Sequence, residues 1–143
     1  MTAPTVVPSN HPKLAEQALI ALGTVKMMFV TATHTPDQDA NDYINDVNAN
    51  EAAGTSYTAG GIALTSVTVT LDASTNIVTV DAADITTAGL SVSARWGYVY
   101  VDTGTPATSP ILAYTDFSQG VGGNTTVTGY QFDSAGIYAY AVA

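Results

Sequence analysis

Residues 24–32 read TVKMMFVTA, a stretch in which only Lys26 is charged. Its apolar side chains show no helical spacing and leave neither face polar, a pattern typical of a strand that is buried on both faces. The composition agrees, because Ala and Thr each occur 22 times and Val 15 times in 143 residues, and Thr and Val favour the half-buried surfaces of sheets. The sequence therefore predicts a mainly β fold.

Further strand patterns surround this run, separated by turns rich in Gly, Asn, Thr and Pro. Seven strands are predicted in all, over residues 24–32, 62–71, 77–81, 91–102, 110–117, 125–132 and 137–142. Within 62–71 the apolar alternation slips by one residue between Leu64 and Val67, which indicates a β-bulge or a switch between two sheets. The turn cluster at 72–76 predicts a hairpin. Together these patterns predict a single β-sandwich or small barrel domain.

The first residues differ from the rest of the chain. Prolines at positions 4, 8 and 12 favour extended backbone, so residues 1–13 are predicted to form an extended N-terminal arm. Its sizeable apolar side chains are Val6 and Val7, which we expect to contact a neighbouring subunit; a frayed terminus is the alternative. The domain of residues 14–143 then starts with a short helix.

The pattern from Pro12 to Leu22 predicts that helix. Asn10 or His11 can cap it, Pro12 suits a first turn, and Gly23 stands where helices often end. One face is apolar at spacings of four, seven and eight residues, namely Leu14, Ala18, Ala21 and Leu22. A helix of about eleven residues is marginal alone and must pack on the domain, and this face is the one expected to do so.

The strand pattern at 91–102, SVSARWGYVYVD, reads as one long strand. Alternation places the following side chains on one face: Val92, Ala94, Trp96, Tyr98 and Tyr100. The tyrosines of this half of the chain exceed what a one-sided core requires: Tyr98, Tyr100, Tyr114, Tyr130, Tyr138 and Tyr140. About half of them are expected in the core. Because tyrosine is frequent at interfaces, Tyr138 and Tyr140 in the last strand are predicted to contact another subunit.

The charge balance argues against several partners. The formal net charge is −9, and the cations are Lys13, Lys26 and Arg95, well separated in sequence. Binding to phosphate backbones requires clustered Lys and Arg, so no direct nucleic-acid contact is expected. No apolar run approaches the length of a membrane span, and the first residues do not resemble a secretory signal. We expect no membrane partner.

Candidate chemical sites are few. The densest acidic stretch contains Asp37, Asp39, Asp42, Asp46 and Glu51. An EF-hand is excluded, because its obligatory Gly is replaced by Asp42 and its bidentate Glu by an Asn. Two interpretations stay open: a different calcium site, or a solvated loop whose carboxylates cap local turns.

The other polar residues predict no reaction chemistry. His11 and His34 lie in polar contexts typical of surface histidines. No nucleophile elbow, zinc-binding helix, phosphate-binding loop or dinucleotide fingerprint occurs. No catalytic, cofactor-binding or metal-ligating residue is predicted, and the chain is not expected to be an enzyme.

Three stretches carry a resemblance to a known family. They are TPDQD at 35–39, YTAGG at 57–61, and WGYVYVDTGTPATSPILAYTDF at 96–117. Together with the helix, they make roughly residues 14–137 similar to small structural proteins of tailed bacteriophages. Genes of that family are typically found among the virion head genes, and the family brings no catalytic residues. The resemblance therefore implies a structural role in the virion.

The resemblance favours a capsid decoration (minor capsid) protein, made in the host bacterial cytoplasm and bound to the outside of the major capsid lattice. Its partners would be the major capsid protein and further copies of the chain, with a trimer preferred, and its contacts would include Val6, Val7, Tyr138 and Tyr140. The alternative is a tail or fibre component that binds carbohydrate through Trp96 and tyrosines. A cell-surface or secreted β domain is a third, less favoured class. A buried Trp96 favours the capsid, whereas exposed rings in a concave patch favour the tail.

Overall fold

The computed structural model describes Pro8 and residues 10–142. Within that range it contains one α-helix, α1 (Asn10–Ile20), and ten strands. The strands are β1 (Thr24–Val30), β2 (Gly54–Thr55), β3 (Ile62–Ala63), β4 (Thr68–Asp72), β5 (Ile77–Asp81), β6 (Ser91–Ala94), β7 (Trp96–Asp102), β8 (Ile111–Asp116), β9 (Thr125–Val127) and β10 (Tyr138–Ala141). They form three antiparallel sheets with the orders β3-β1-β7-β8, β10-β5-β4 and β2-β6-β9. The prediction of a mainly β, sandwich-like domain with one short N-terminal helix is confirmed.

Strand β1 lies in the interior of the four-stranded sheet, between β3 and β7. Its side chains alternate between two hydrophobic clusters, with Met27 and Phe29 in one and Met28 and Val30 in the other. A strand with apolar neighbours on both faces has no polar positions to spare. This explains why residues 24–32 are apolar almost throughout.

The two clusters lie on opposite faces of the four-stranded sheet. The first joins it to the sheet β2-β6-β9 through Val92 and Val127. The second is closed by Ile44, in the short 3₁₀ turn at 44–46, and by Val47, which lies between that turn and the one at 48–50. The second half of the acidic loop, residues 37–51, thus covers one face of the four-stranded sheet.

The single strand predicted over 91–102 is wrong, because the chain changes sheets at Arg95. Strand β6 belongs to the sheet β2-β6-β9, and β7 belongs to the four-stranded sheet. Val92 and Ala94 lie in the first cluster, whereas Trp96 packs against the second. The change leaves no trace in the alternation of residue types, since both faces of β7 are apolar.

The other strand predictions agree more closely with the structure. The slip between Leu64 and Val67 is a sheet switch, with β3 and β4 in different sheets and Ser66 between them at a φ of 53°. The predicted hairpin is β4 paired with β5. Ten strands replace seven because 62–71 and 91–102 each divide in two and because β2, only two residues long, has no distinct sequence pattern.

The helix begins earlier than predicted, at Asn10, and it ends at Ile20. Residues 10–13, predicted as part of the extended arm, are therefore helical. Pro12 is tolerated there because the first helical turn has amide groups with no intrahelical acceptor. The predicted contact residues Val6 and Val7 lie outside the described residues.

Candidate interaction surface

Helix α1 packs against the sheet β10-β5-β4, with its contacts mainly on β4. In this sheet Tyr138 lies opposite Val80 and Tyr140 opposite Val78. Residues directly opposite on antiparallel strands share a face, and the two valines are fully buried. The helix therefore lies over the apolar face of this sheet, with the two tyrosines beside it.

Both tyrosine hydroxyls are bound to the same helical carboxylate. The Tyr138 hydroxyl donates to Oε2 of Glu16 at 2.8 Å, and the Tyr140 hydroxyl lies 3.3 Å from Oε1 of Glu16 and 3.4 Å from the carbonyl oxygen of Pro12. Burial, and then the neighbouring Glu16, raise the pKa of both phenols. They therefore stay protonated and act as donors that hold the helix to the sheet.

This arrangement changes the interpretation of Tyr138 and Tyr140. Their rings are half-buried and their hydroxyls are already used within the chain. A contact of these tyrosines with another subunit stays a prediction. The sequence signal that could have shown their partner is Glu16, the one acidic residue of the helix, which lies four residues after Pro12 on the same helical face.

The helical face that was expected to pack on the domain points to solvent. All four of its residues are exposed: Leu14, Ala18, Ala21 and Leu22. The less exposed positions are instead Pro12, Lys13, Glu16, Leu19 and Ile20. Both sets have nearly the same helical spacing, so periodicity alone cannot distinguish them. The bulky pair Leu19 and Ile20, together with the acceptor Glu16, decides which face docks.

The exposed face of the helix is uncharged. Leu14 is 54% exposed and Leu22 is 60% exposed. Eight of the residues between 10 and 22 are exposed, and none of them is Asp, Glu, Lys or Arg. In a chain with a net charge of −9, this is a surface on which another protein can dock without burying a carboxylate.

The remaining tyrosines divide between core and surface. Tyr98 and Tyr100 are buried, Tyr130 is half-buried, and Tyr114 is 38% exposed. The Tyr100 hydroxyl donates to the carbonyl oxygen of Gly60, and burial raises the pKa of Tyr100 to about 12.

Trp96 is half-buried, so it matches neither the buried ring expected for a capsid protein nor the exposed ring expected for a tail component. Its ring nitrogen donates to the His34 carbonyl oxygen at 3.1 Å. The Arg95 guanidinium carbon lies 4.4 Å from the centre of the indole ring, and Tyr114 meets the indole edge to face at 6.0 Å. The indole is thus covered by Arg95 on one side and bounded by an exposed tyrosine.

His34 is not the surface histidine that its polar sequence context predicted. It is only 9% exposed, and its Nε2 lies 2.9 Å from the Tyr98 hydroxyl. Burial lowers the pKa of His34, and a hydrogen bond with Asn41 opposes that shift. The polar residues around His34 in sequence form a loop that closes over the sheet, which brings the imidazole against a buried tyrosine.

The carboxylates of the acidic loop accept hydrogen bonds from the chain around them. Asp37 accepts from the amide of Asp39 at 2.9 Å, and Asp46 accepts from the amides of Asp42 and Tyr43 at 3.1 and 3.0 Å. Among the described residues, no three His, Asp or Glu side chains are grouped so that they could hold a metal ion. The arrangement favours the turn-capping interpretation of this loop.

Glu51 is the last acidic residue of the acidic loop, and its carboxylate accepts two hydrogen bonds. One carboxylate oxygen accepts from the Tyr57 hydroxyl at 2.8 Å and from the Gly60 amide at 2.7 Å. Glu51 therefore ties the end of the acidic loop to the YTAGG turn.

Two of the three cations are paired with carboxylates. Lys26 Nζ lies 2.6 Å from Asp102 Oδ2, and Arg95 lies 3.4 Å from Asp116 Oδ2. The hydrogen bond from Lys26 is the main cause that lowers the pKa of Asp102. The Lys26 pair links the neighbouring strands β1 and β7, and the Arg95 pair links the point where the chain changes sheets to β8. Both pairs leave little positive charge available to an anionic partner.

Comparisons of the chain with models of protein families, with curated proteins and with solved structures give no match. In the described part of the chain, no helix has the length and apolar character needed to cross a membrane.

Proposed function

We propose that this chain is a structural protein of a tailed-bacteriophage virion, a capsid decoration (minor capsid) protein. It binds the outer surface of the major capsid lattice and stabilises it. The sequence resemblance is the source of the proposal. The observation that carries it is that YTAGG and residues 96–117 pack on the same strand, and that the segments on both sides of TPDQD are hydrogen-bonded to residues 96–117.

YTAGG and residues 96–117 meet at Phe29 in strand β1. Tyr57, from YTAGG, stacks on Phe29 with ring centres 5.2 Å apart and donates to Glu51. Phe117, which ends the third stretch, meets Phe29 edge to face at 5.1 Å. Tyr100 of the same stretch donates to Gly60.

The acidic loop joins the same unit. The Ile44 amide donates to the Ser109 carbonyl oxygen, and the Ile111 amide donates to the Asp42 carbonyl oxygen, both at 2.9 Å. The segment that follows TPDQD is thus tied to the third stretch. Residues that build one packed unit are what relatives with a common structural role would share, whereas a shared reaction would require grouped titratable side chains.

The predicted arm supplies a means of attachment. In the sequence it contains Val6 and Val7, has no Asp, Glu, Lys or Arg before Lys13, and directly precedes the domain. An uncharged surface can be buried against another protein without the penalty of desolvating ions. We therefore assign the contact with the major capsid protein to the arm, with a homo-oligomer, preferably a trimer, as the attached form.

The test compares full-length protein with a variant that lacks residues 1–9, which leaves α1 intact. Both are incubated with capsids of the phage that carries this gene, and bound protein is measured after sedimentation. We expect the truncated protein to have lower occupancy at the same free concentration. Equal occupancy would remove the arm from the attachment site, and no binding by either form would contradict the proposed function.

A tail or fibre component that binds carbohydrate is the second candidate. Exposed Tyr114 beside the indole of Trp96 favours it, because sugars stack on such rings. Trp96 is the only tryptophan, so titration with glycans from the host cell surface would change its fluorescence if the sugar binds there. A saturable change that is absent in Tyr114→Ala would favour this candidate over the capsid.

A further inference from the structure

We propose that the outer face of α1, defined as Leu14, Ala18, Ala21 and Leu22, pairs with the same face of a second copy of the chain, with the two helices antiparallel. The two leucines are the largest apolar side chains that α1 and its C-terminal turn leave exposed. The domain does not cover this face, because α1 docks through its opposite side.

The face is self-complementary. Leu14 and Leu22 stand eight residues apart, about 12 Å along a helix, with the small residue Ala18 midway. When two such helices cross antiparallel at Ala18, Leu14 of each copy meets Leu22 of the other, and the small side chains let the axes approach. A contact that pairs each residue with its counterpart in this way is the isologous kind that closes at two copies. It is therefore separate from the contacts that would build the preferred trimer.

Charge favours a second copy in this orientation. Two copies, each with a net charge of −9, repel one another over most of their surfaces, but this face carries no carboxylate. Lys13 lies at the edge of the face near the start of α1. In an antiparallel pair it lies beside the C-terminal end of the other helix, where the helix dipole favours a cation. A parallel pair would bring the two Lys13 side chains together instead.

The proposed contact buries a small area, and we therefore expect it to be weak between isolated chains. An eleven-residue helix is only about 16 Å long, so the buried area falls below the roughly 800 Å² per partner of a standard stable interface. We expect a dissociation constant on the order of 100 µM or weaker for the isolated chain. On a lattice that holds copies close together, the effective concentration would make the same contact persistent. The lattice that would hold the copies together rests on the proposed function, whereas the pairing itself can be tested with the isolated chain.

The chain contains no cysteine, so disulfide trapping has no background. Ala18→Cys places one thiol at the predicted crossing point, and Val121→Cys, at a position that is 90% exposed, is the matched control. Under mild oxidation we expect Ala18→Cys to form covalent dimers at least about tenfold faster than the control. Adding Leu14→Glu to Ala18→Cys should reduce its rate to that of the control, since the carboxylates would face apolar side chains.

Orientation is tested by mixing variants. Leu14→Cys mixed with Leu22→Cys should give mainly mixed dimers, whereas Leu14→Cys alone should link slowly. Fast linking of Leu14→Cys alone, or a rate for Ala18→Cys no higher than that of Val121→Cys, would overturn the proposal.

The pairing and the proposed function can fail independently. If these chains do not associate but Leu14→Glu reduces capsid occupancy, the face docks on the capsid. The pairing proposal then fails while the proposed function stands. Efficient pairing without capsid binding would support the pairing and contradict the proposed function.

Discussion

At the scale of single residues, hydrogen bonds to carboxylates connect segments of this protein that are distant in sequence. Glu16 holds α1 to Tyr138 and Tyr140, and Glu51 holds the acidic loop to Tyr57 and the Gly60 amide. Hydrogen bonds to charged acceptors contribute more than neutral ones, about 1.5–3 kcal/mol when buried. A few polar contacts therefore position segments that have little apolar surface of their own.

The Tyr138 hydroxyl gives a direct measure of how firmly α1 is held. Tyr138→Phe removes its 2.8 Å bond to Glu16 and should lower the free energy of unfolding by about 1–2 kcal/mol, measured by urea denaturation. Tyr140→Phe should cost less because its contacts are longer. The control is Tyr114→Phe, at an exposed ring. If all three variants had the same stability as the parent, α1 would not depend on these hydrogen bonds.

Buried His34 predicts a dependence of stability on pH. Burial lowers the pKa of His34 below its usual 6.5, so as the pH falls the unfolded chain takes up a proton before the folded chain does. The free energy of unfolding should therefore be fully present above about pH 7 and decrease as the pH falls from 7 towards 5. Urea midpoints followed by Trp96 fluorescence measure this change. The decrease should be smaller in His34→Gln and unchanged in His11→Gln, and an equal decrease in both variants would assign it to other groups.

At the scale of elements, α1 covers the apolar face of the sheet β10-β5-β4. Val78 and Val80 are fully buried although α1 has no fully buried residue. The helix shields them with its half-buried side, and the tyrosines complete the cover. The same helix leaves its other side exposed, and this is the side to which we assign the proposed contact between copies.

Two truncations separate these roles. Removing residues 1–9 leaves α1 in place and should change the Tm by less than about 2 °C. Removing residues 1–20 uncovers Val78 and Val80, each contributing about 1.5–3 kcal/mol through burial, and should lower the Tm by roughly 10 °C or more. Differential scanning calorimetry measures both. Equal Tm values for the two truncations would show that α1 does not cover this sheet.

The acidic loop should be stabilised by its own hydrogen bonds and not by a cation. EDTA should leave the Tm unchanged, because a bound ion would stabilise the fold by mass action. Glu51→Gln keeps an oxygen that can accept from the Tyr57 hydroxyl and the Gly60 amide but removes its charge. It should lower the free energy of unfolding by about 1 kcal/mol, because hydrogen bonds to charged groups are stronger than neutral ones. Asp39→Asn, at an exposed position, is the matched control. A drop of several degrees in EDTA would instead indicate a calcium site.

Some elements could be predicted from the sequence because each has a local residue pattern with a single structural interpretation. The buried run at 24–32, the hairpin around 72–76 and the switch between Leu64 and Val67 each leave a pattern that has one physical explanation. Other features depend on tertiary contacts that no local pattern records. The sheet change at Arg95 is invisible because both faces of β7 are apolar, and the burial of His34 follows from how its loop folds over Tyr98.

The candidate surface could be predicted only in part. The pattern of α1 contains two stripes of similar spacing, and periodicity alone favours Leu14 and its neighbours as the docking side. That prediction is wrong because Leu19 and Ile20 are the half-buried apolar residues instead, and because Glu16 bonds with tyrosines more than 120 residues away in the chain. Local periodicity carries no information about such distant partners.

At the scale of the whole molecule, charge and apolar surface are separated. Two of the three cations are paired with carboxylates of the same chain, and the net charge of −9 opposes contact between copies over most of the surface. The outer face of α1 is uncharged. A molecule of this kind is expected to stay dispersed until it meets a surface that presents many binding positions, as a capsid lattice does.

The number of copies per virion tests the proposed function most directly. Virions of the phage that carries this gene can be purified, and the ratio of this chain to the major capsid protein measured by quantitative mass spectrometry. A decoration protein should be present in hundreds of copies, in a simple ratio to the major capsid protein. A count of a few to a few dozen would place the chain in the tail or at a vertex, and its absence from virions would contradict a structural role.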